Sequence, residues 1–376
     1  MPRPTRLTVA ALVAAASSGH VLYPAWLAIA SRNRPVRRPP APSAWPAVTV
    51  VVAAYREAGL IADKVADVRA NGYPGALEVL VVADGDPTTA ERAERAGATV
   101  ISAPERLGKA QAVNLGMSKV TTPVAVLSDA NNHIAPGAIA AMVEHLADPA
   151  VGAVAGEKSE EGGGEGLYWR FESWLKQREW RLGTTVGLVG ELAAVRTDAF
   201  QPIPADVAID DLWIALDLSA RGYAIAYEPR AKAVEPPAGT MAQQWERRTR
   251  SVASALYVFW RQRRQLGAGG GLVTAQIWGH RLARYTVSPL AQLVLVVIAL
   301  TRLRSSRLAR LFMAGHVAAA WALVQQSEPP QEQGGPPSPL PTTALAQGLF
   351  LQGVALGGIV RFLRGDRPTK WPTVER

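Results

Sequence analysis

Residues 7–30, LTVAALVAAASSGHVLYPAWLAIA, run without a formal charge. At about 1.5 Å per residue, such a run is long enough to cross a hydrocarbon core of ~30 Å as one helix. Arg3 and Arg6 in front and small residues behind also fit a cleaved signal peptide. The long apolar part and the arginines of SRNRPVRR (31–38) favour a retained anchor over 1–31. A basic, proline-rich linker over 32–46, ending in RPPAPSAWP, follows it.

Beyond the linker the periodicity shortens. VTVVVA (48–53), LEVLVVA (77–83), ATVIS (98–102) and PVAVLS (123–128) predict strands, with helices between them at 57–70, 87–96 and 108–119. Alternating β and α with near-continuous apolar strands predicts an α/β fold with a mostly parallel sheet covered on both faces. Ligands of such sheets sit at the carboxyl ends of the strands, where Asp84 and Asp129 stand.

Further on the pattern loosens. VGAVAGE (151–157) predicts a strand, KSEEGGGEG (158–166) a loop, and LYWRFESWLKQREWRLG (167–183) a tryptophan-rich amphipathic helix. That helix suits either a bilayer interface or the cover of a sheet. GLVGELAAV (187–195) reads as a strand, DDLWIALDLSARG (210–222) as a helix ended by Gly222, and YAIAYE (223–228) as a strand. Amphipathic, interfacial helices are expected over 239–284, hydrophobic segments near 285–301, 308–325 and 343–360, and a tail over 364–376. The arginines of 302–310 conflict with a simple count of spans, since a full crossing at 285–301 puts them on the face opposite a cytoplasmic domain; an interfacial or re-entrant segment broken at Pro289 removes the conflict.

Composition changes this picture in two places. A hydrophobic fraction of 48% and a mean hydropathy of +0.06 are high for a soluble chain and agree with a membrane part. The absence of cysteine excludes disulfides, zinc-thiolate sites and thiol nucleophiles. The net charge of +9 is concentrated beside the apolar segments, in SRNRPVRR, WRQRRQ (260–265) and TRLRSSRLAR (301–310). Charge in those places suits membrane lipids as partner, and not nucleic acid.

Candidate chemistry begins with LSDANNHIAP (127–136), where a carboxylate and two amides follow an apolar run. Asx residues before Pro and Gly are ordinary turn formers. Other motifs give the turn a context: VVAAYREA (51–58), VVADGDPTT (81–89), RLGKAQAVNLG (106–116), SDANN (128–132), IDD (209–211) and QWERR (244–248). In that order they resemble membrane-embedded glycosyltransferases of family 2, related in pattern to cellulose, hyaluronan and chitin synthases. The resemblance covers roughly residues 45–265. It implies a GT-A fold over 47–238, a Rossmann-like mixed sheet flanked by transmembrane helices.

The resemblance also implies roles. Ala53, Tyr55, Glu57 and Asp84 would hold the nucleoside; Lys109, Gln244, Arg247 and Arg248 would lie with the rest of the donor site. Asp129, with Asn131 where the family more often has a second aspartate, would hold Mg2+ or Mn2+ through hard oxygen donors. Ala83 likewise replaces a residue that is often acidic. Asp211 matches the catalytic base and Asp210 its usually glutamate neighbour, although acids at a helix start also stabilise its dipole. Gly190, Glu191 and Trp245 fall on the acceptor side, and Glu235 near the metal. Arg248 stands where the family places a tryptophan, which leaves processive synthesis and single transfer both open. His133 and His280 are expected to be structural.

The expected activity is inverting transfer of a hexose or N-acetylhexosamine from a nucleotide sugar, UDP-linked by the resemblance, to a glycan or lipid-linked acceptor. The expected location is the cytoplasmic membrane face, as a multi-pass protein with a partner subunit or further copies possible. A catalytically silent nucleotide-sugar binder is the other class that Asn131 and Ala83 permit.

Overall fold

The computed structural model describes residues 5–39, 42–160, 166–235, 240–327 and 340–370. In chain order, α1 (Arg6–Ser17) and α2 (Tyr23–Ala30) are joined by a π-helical turn at Ser18–Leu22. Then come β1 (Val48–Ala54), α3 (Ile61–Arg69), β2 (Leu77–Asp84), α4 (Pro87–Arg95), β3 (Thr99–Ala103), α5 (Lys109–Met117), β4 (Val124–Asp129) and β5 (His133–Ile134). They are followed by α6 (Ala138–His145), β6 (Val151–Glu160), α7 (Gly166–Leu182), β7 (Leu192–Arg196), α8 (Asp210–Ala220) and β8 (Ala224–Glu235). The remainder is helical: α9 (Met241–Arg261), α10 (Gly270–Gln276), a π-helical stretch at Ile277–Val287, α11 (Ser288–Thr301), α12 (Arg307–Ser327) and α13 (Leu340–Leu363).

The chain divides into two compact units, 27–238 with 257–276 and 367–376, and 1–26 with 239–256 and 277–366. The first holds one eight-stranded sheet in the order β3-β2-β1-β4-β7-β6-β8-β5. β1 lies inside the sheet, between β2 and β4, and both faces of VTVVVA are covered: Val48, Val50 and Val52 are fully buried on one side, and Val51 on the other is 1% exposed. Burial on both faces is what a parallel strand between helices requires. The expectation of a mostly parallel sheet holds for β1 to β4. It holds beyond them for β6 and β8, which pair parallel and share the direction of β4, while β7, antiparallel to both β4 and β6, and β5, antiparallel to β8, run against it. An apolar run such as LAAVR carries no sign of its direction.

Two further expectations change, and one open alternative is decided. Residues 158–160 extend β6 and are not loop, because they pair with 233–235 of β8; 161–165 lie outside the described residues. Only 192–196 of the run 187–195 and its neighbour form a strand. Finally, α7 covers the sheet: it packs on β6 and β8 and buries Leu175 and Trp180.

In the second unit α1 packs on α11, and α12 on α13. Close approach there is made by glycine: a Cβ at Gly279 would lie 2.0 Å from the Tyr23 ring, and one at Gly19 would lie 2.4 Å from the Arg284 side chain. Among the described residues four helical stretches are long and apolar enough to cross a membrane: Arg6–Ala30, Gly270–Thr301, Arg307–Gln325 and Ala344–Leu363. The second begins 15 residues before the apolar segment read from the sequence, since polar residues such as Gln276 and His280 are buried within it.

Candidate active site

The carboxyl end of β2 shapes the site before any ligand does. Asp84 accepts hydrogen bonds from the backbone N–H groups of Leu107 and Gly108, the latter at 2.9 Å. This folds the 104–108 loop back onto the strand. Gly85 is required beneath it, with φ +70° and a Cβ position 2.5 Å from the Arg106 nitrogen. Gly108, at φ +94°, then caps α5 and makes Lys109 its first residue. A Cβ at Gly108 would sit 2.7 Å from the Thr369 carbonyl oxygen, so Thr369, in what the sequence left as a tail, packs on this loop.

Lys109 points at the end of β4. Its Nζ lies 2.6 Å from Asp129 Oδ1 and donates to the Gly190 carbonyl at 3.0 Å. A Cβ at Gly190 would stand 3.3 Å from Lys109 Nζ and 3.6 Å from Asp211 Oδ2. The side-chain-free position therefore adjoins both. Asp210 and Asp211 open α8, and the Leu212 N–H donates to Asp211 Oδ1 at 2.8 Å. Lys109, Asp129, Gly190 and Asp211, spread over a hundred residues of sequence, are thus neighbours.

Deeper in, Lys158 on β6 bridges Glu191 at 2.5 Å and Glu235 at 2.7 Å, with its side chain 2% exposed. Asn131 Nδ2 donates to Glu235 Oε1 at 3.4 Å. Asn132 has a different task. Its Oδ1 and carbonyl oxygen accept from buried Lys64 Nζ at 2.8 and 2.9 Å, and its Nδ2 donates to the Glu191 carbonyl at 2.9 Å. So of the two amides in LSDANNHIAP, one ties the loop to α3 and to Glu191, and the other faces the acidic group. Lys64 and Lys158 carried no signal in the sequence, because each pairs with residues distant along the chain.

Tyr55 follows β1, with the Arg106 guanidinium 4.0 Å above its ring and that of Arg56 5.4 Å away. Arg56 is the non-glycine residue with positive φ, 57°, among the described residues. The Glu57 N–H donates to Thr89 Oγ1 at 3.1 Å, and Ala53 is the half-buried position of β1, between buried Val52 and Ala54. His133 is exposed near Asp67, and His280 is buried in the other unit, stacked 6.4 Å from Tyr23. Gln244, Trp245, Arg247 and Arg248 lie on α9 within that other unit.

Residues 49–203 match the Glycosyl transferase family 2 domain, a stretch that holds β1 to β7 with Asp84, Lys109, Asp129 and Gly190. The chain carries a family 2 glycosyltransferase domain. An N-acetylglucosaminyltransferase from Mesorhizobium japonicum is 27% identical to it over 223 residues, 52% of each chain. A poly-beta-1,6-N-acetyl-D-glucosamine synthase from Staphylococcus aureus is 25% identical over 219 residues, 54% of this chain and 53% of that one. The chain therefore spans about half the length of the curated relatives it matches. A mannosyltransferase from Pyrobaculum calidifontis, solved in complex with GDP-Man and Mn2+, superposes with a TM-score of 0.73 at 26% identity, over 96% of this chain and 99% of that one. The mixed sheet is thus that of GT-A proteins.

Charge is arranged unevenly in this site. Burial and then the Asp210 carboxylate push Asp211 up to about 7, against the pull of Lys109. Asp210 is raised too, chiefly by burial. Burial alone would lower Lys109, but Asp129, Asp210 and Glu191 outweigh it and hold the ammonium charged. Glu191 goes the other way: burial opposes its charge, yet Lys158 brings it down to about 2. Desolvation lowers Lys64 to about 8. Among the described residues no group of three or more His, Cys, Asp or Glu side chains is placed to hold a metal ion. Asp129 and Asn131 offer a hard cation two oxygens, so most of its coordination would come from ligand and water.

Proposed function

We propose that the chain is an inverting glycosyltransferase that moves a sugar from a nucleotide-diphosphate donor to a glycan or lipid-linked acceptor at the cytoplasmic face of a membrane. One observation carries this reading: Asp211 stands beside the open position of Gly190, with Lys109 and Asp129 adjoining it. Transfer with inversion needs a base on the acceptor side and positive charge on the leaving-group side, and the two meet here.

Asp211 takes the proton from the acceptor hydroxyl as its oxygen attacks the anomeric carbon. A carboxyl poised near neutrality is well matched to that step. Lys109, at the amino end of α5, faces the departing diphosphate and adds its charge to that of the helix dipole. Asp84 acts first by holding the 107–108 backbone, and its remaining lone pairs suit a nucleoside's donors. Tyr55 gives the base an aromatic wall. Asp129 and Asn131 would hold Mg2+ or Mn2+ together with donor oxygens; when bound, that cation neutralises charge on the diphosphate. Four stretches able to cross a membrane support the location.

The test is product formation by the full chain in nanodiscs with a membrane lipid extract and Mg2+ or Mn2+. UDP-GlcNAc, UDP-glucose and GDP-mannose are each supplied, and nucleotide diphosphate release is followed with product size. One donor should be turned over, EDTA should stop it, and Asp211→Asn should lower the rate by about 10²–10⁴-fold with donor affinity kept. Full turnover by Asp211→Asn removes Asp211 as base. Donor binding without turnover in any mixture favours the silent binder.

A further inference from the structure

The motif RLGKAQAVNLG gives the reaction Lys109 from α5, but sugar transfer as proposed leaves its other polar residues, Gln111 and Asn114, without a task. They stand about one helical turn apart on the same face of α5, and the Asn114 amide donates to Gln111 Oε1 at 3.2 Å, which orients the pair. Asn114 reaches Ile203, 89 residues further on, in the stretch between β7 and α8 that leads to Asp210 and Asp211.

The contact is two-sided. Asn114 Nδ2 donates to the Ile203 carbonyl at 2.7 Å, and the Ile203 N–H donates to Asn114 Oδ1 at 2.9 Å. One side-chain amide thus exchanges both bonds with one backbone residue, as an antiparallel strand would. Gln111 Nε2 adds longer bonds to the carbonyls of Ile203 and Pro204, at 3.2 and 3.3 Å. The sequence QPIPADVAIDD (201–211) makes Ile203 the place to hold. Pro202 and Pro204 on either side have no N–H to offer, and each fixes its own φ, so a held Ile203 passes its position on through a stiff segment. Ile203 is 2% exposed, and buried Val207 closes a turn through its N–H on the Pro204 carbonyl at 3.0 Å. Within that turn Asp206 is held by the Tyr257 hydroxyl and by Arg261, both from α9. Ala208 and Ile209 alone then separate Val207 from the start of α8, which packs on α5.

We propose that Asn114, helped by Gln111, is a positioning residue for sugar transfer, which fixes the separation between Lys109 on its own helix and Asp211 at the end of the segment it holds. The inference rests on the roles proposed for those two residues. Lys109 serves the leaving group and Asp211 the attacking hydroxyl, so the reaction needs both at once in one geometry. A misplacement of about 1 Å in such a pair can cost about 10²-fold in rate. Neither α5 nor α8 is a strand of the sheet, so strand pairing does not set their spacing, and the amide clasp does.

The experiment compares the full chain with Asn114→Leu and Gln111→Leu in nanodiscs, using the donor that the wild-type chain turns over. Leucine keeps the bulk of asparagine and removes both bonds. Asn114→Leu should lower kcat by about ten- to a hundredfold while the donor KM stays within about twofold. Gln111→Leu loses only the longer bonds and should show the same split at less than about fivefold. In hydrogen exchange, peptides covering 203–212 should exchange faster in Asn114→Leu, and those of β1, β2 and β4 should not. An asparagine that merely supports the fold gives another result: kcat and KM worsen together, with faster exchange throughout the unit. That result, or an unchanged kcat, would overturn the proposal. Should Asn114→Leu fail to fold, Gln111→Leu decides by the same split and the same peptides. Turnover by the wild-type chain with kcat unchanged in the variants removes this proposal and leaves the catalytic reading standing, whereas no turnover by the wild-type chain removes both.

Discussion

Asp211 sits at about 7, so at neutral pH it is shared between the form that accepts a proton and the form that cannot. Activity as kcat/KM should therefore rise with pH through about 7, and that limb should vanish with the residual rate of Asp211→Asn. Stability runs the opposite way. Between the ordinary value of 3.8 and about 7 the folded chain binds more protons than the unfolded one, so stability falls as pH rises through that window. Asp211→Asn should then raise the melting temperature more at about pH 8 than at about pH 5, a difference that scanning calorimetry reads directly. An equal shift at both would refute the burial argument. Lys158 tests the other buried charge: Lys158→Met leaves Glu191 and Glu235 without their cation and should cost about 3–5 kcal/mol in chemical denaturation. These two cases also mark what sequence reasoning reaches. Asp129, Lys109 and Asp211 were legible because each stands at a strand or helix end inside a local motif. Lys158 was not, since its partners lie 33 and 77 residues away and only the folded sheet brings them together.

At the level of elements, the loop between β3 and α5 is the part whose geometry the site most depends on. Asp84 holds its backbone from below, and Gly108 turns it into α5. Gly108→Ala forces an L side chain into φ +94° and against the Thr369 carbonyl. The expected cost is above about 1 kcal/mol in stability. The loss should appear more strongly in donor affinity than in melting, because Lys109 is carried on the displaced turn. Isothermal titration with the nucleotide alone separates the two, and unchanged affinity in a destabilised variant would mean that the loop does not place Lys109. Strands β1 to β4 and the amphipathic face of α7 were readable from periodicity. The reversal at β7 was not, because direction depends on which neighbour a strand finds and not on its own side chains. The same holds for α7: interface and sheet cover need the same pattern, and the burial of Leu175 and Trp180 against the sheet is a tertiary fact.

For the whole molecule, the unresolved question of the sequence was the arginine-rich turn after Thr301. Reading 285–301 as a short apolar segment made an interfacial path attractive. The helix instead runs unbroken over the 32 residues Gly270–Thr301, through a π-helical stretch that ends at Val287 and into α11, whose first turn takes Pro289. At about 1.5 Å per residue that is ~48 Å, more than a bilayer core needs, so a tilted full crossing is the economical path. Arg302 and Arg304 then lie on the face opposite the residues between the first and second stretches. On the function proposed above, orientation would come from the first helix, with the arginines of 31–38 on its cytoplasmic side. The absence of cysteine makes the point testable with few controls. In right-side-out vesicles, Ser305→Cys should react with a membrane-impermeant maleimide, whereas Glu91→Cys on the exposed face of α4 should react only after permeabilisation. Protection of both until permeabilisation would return the segment to a re-entrant path. It would also leave the arginines on the same face as the catalytic unit, where an anionic surface favours each of them by about 1 kcal/mol.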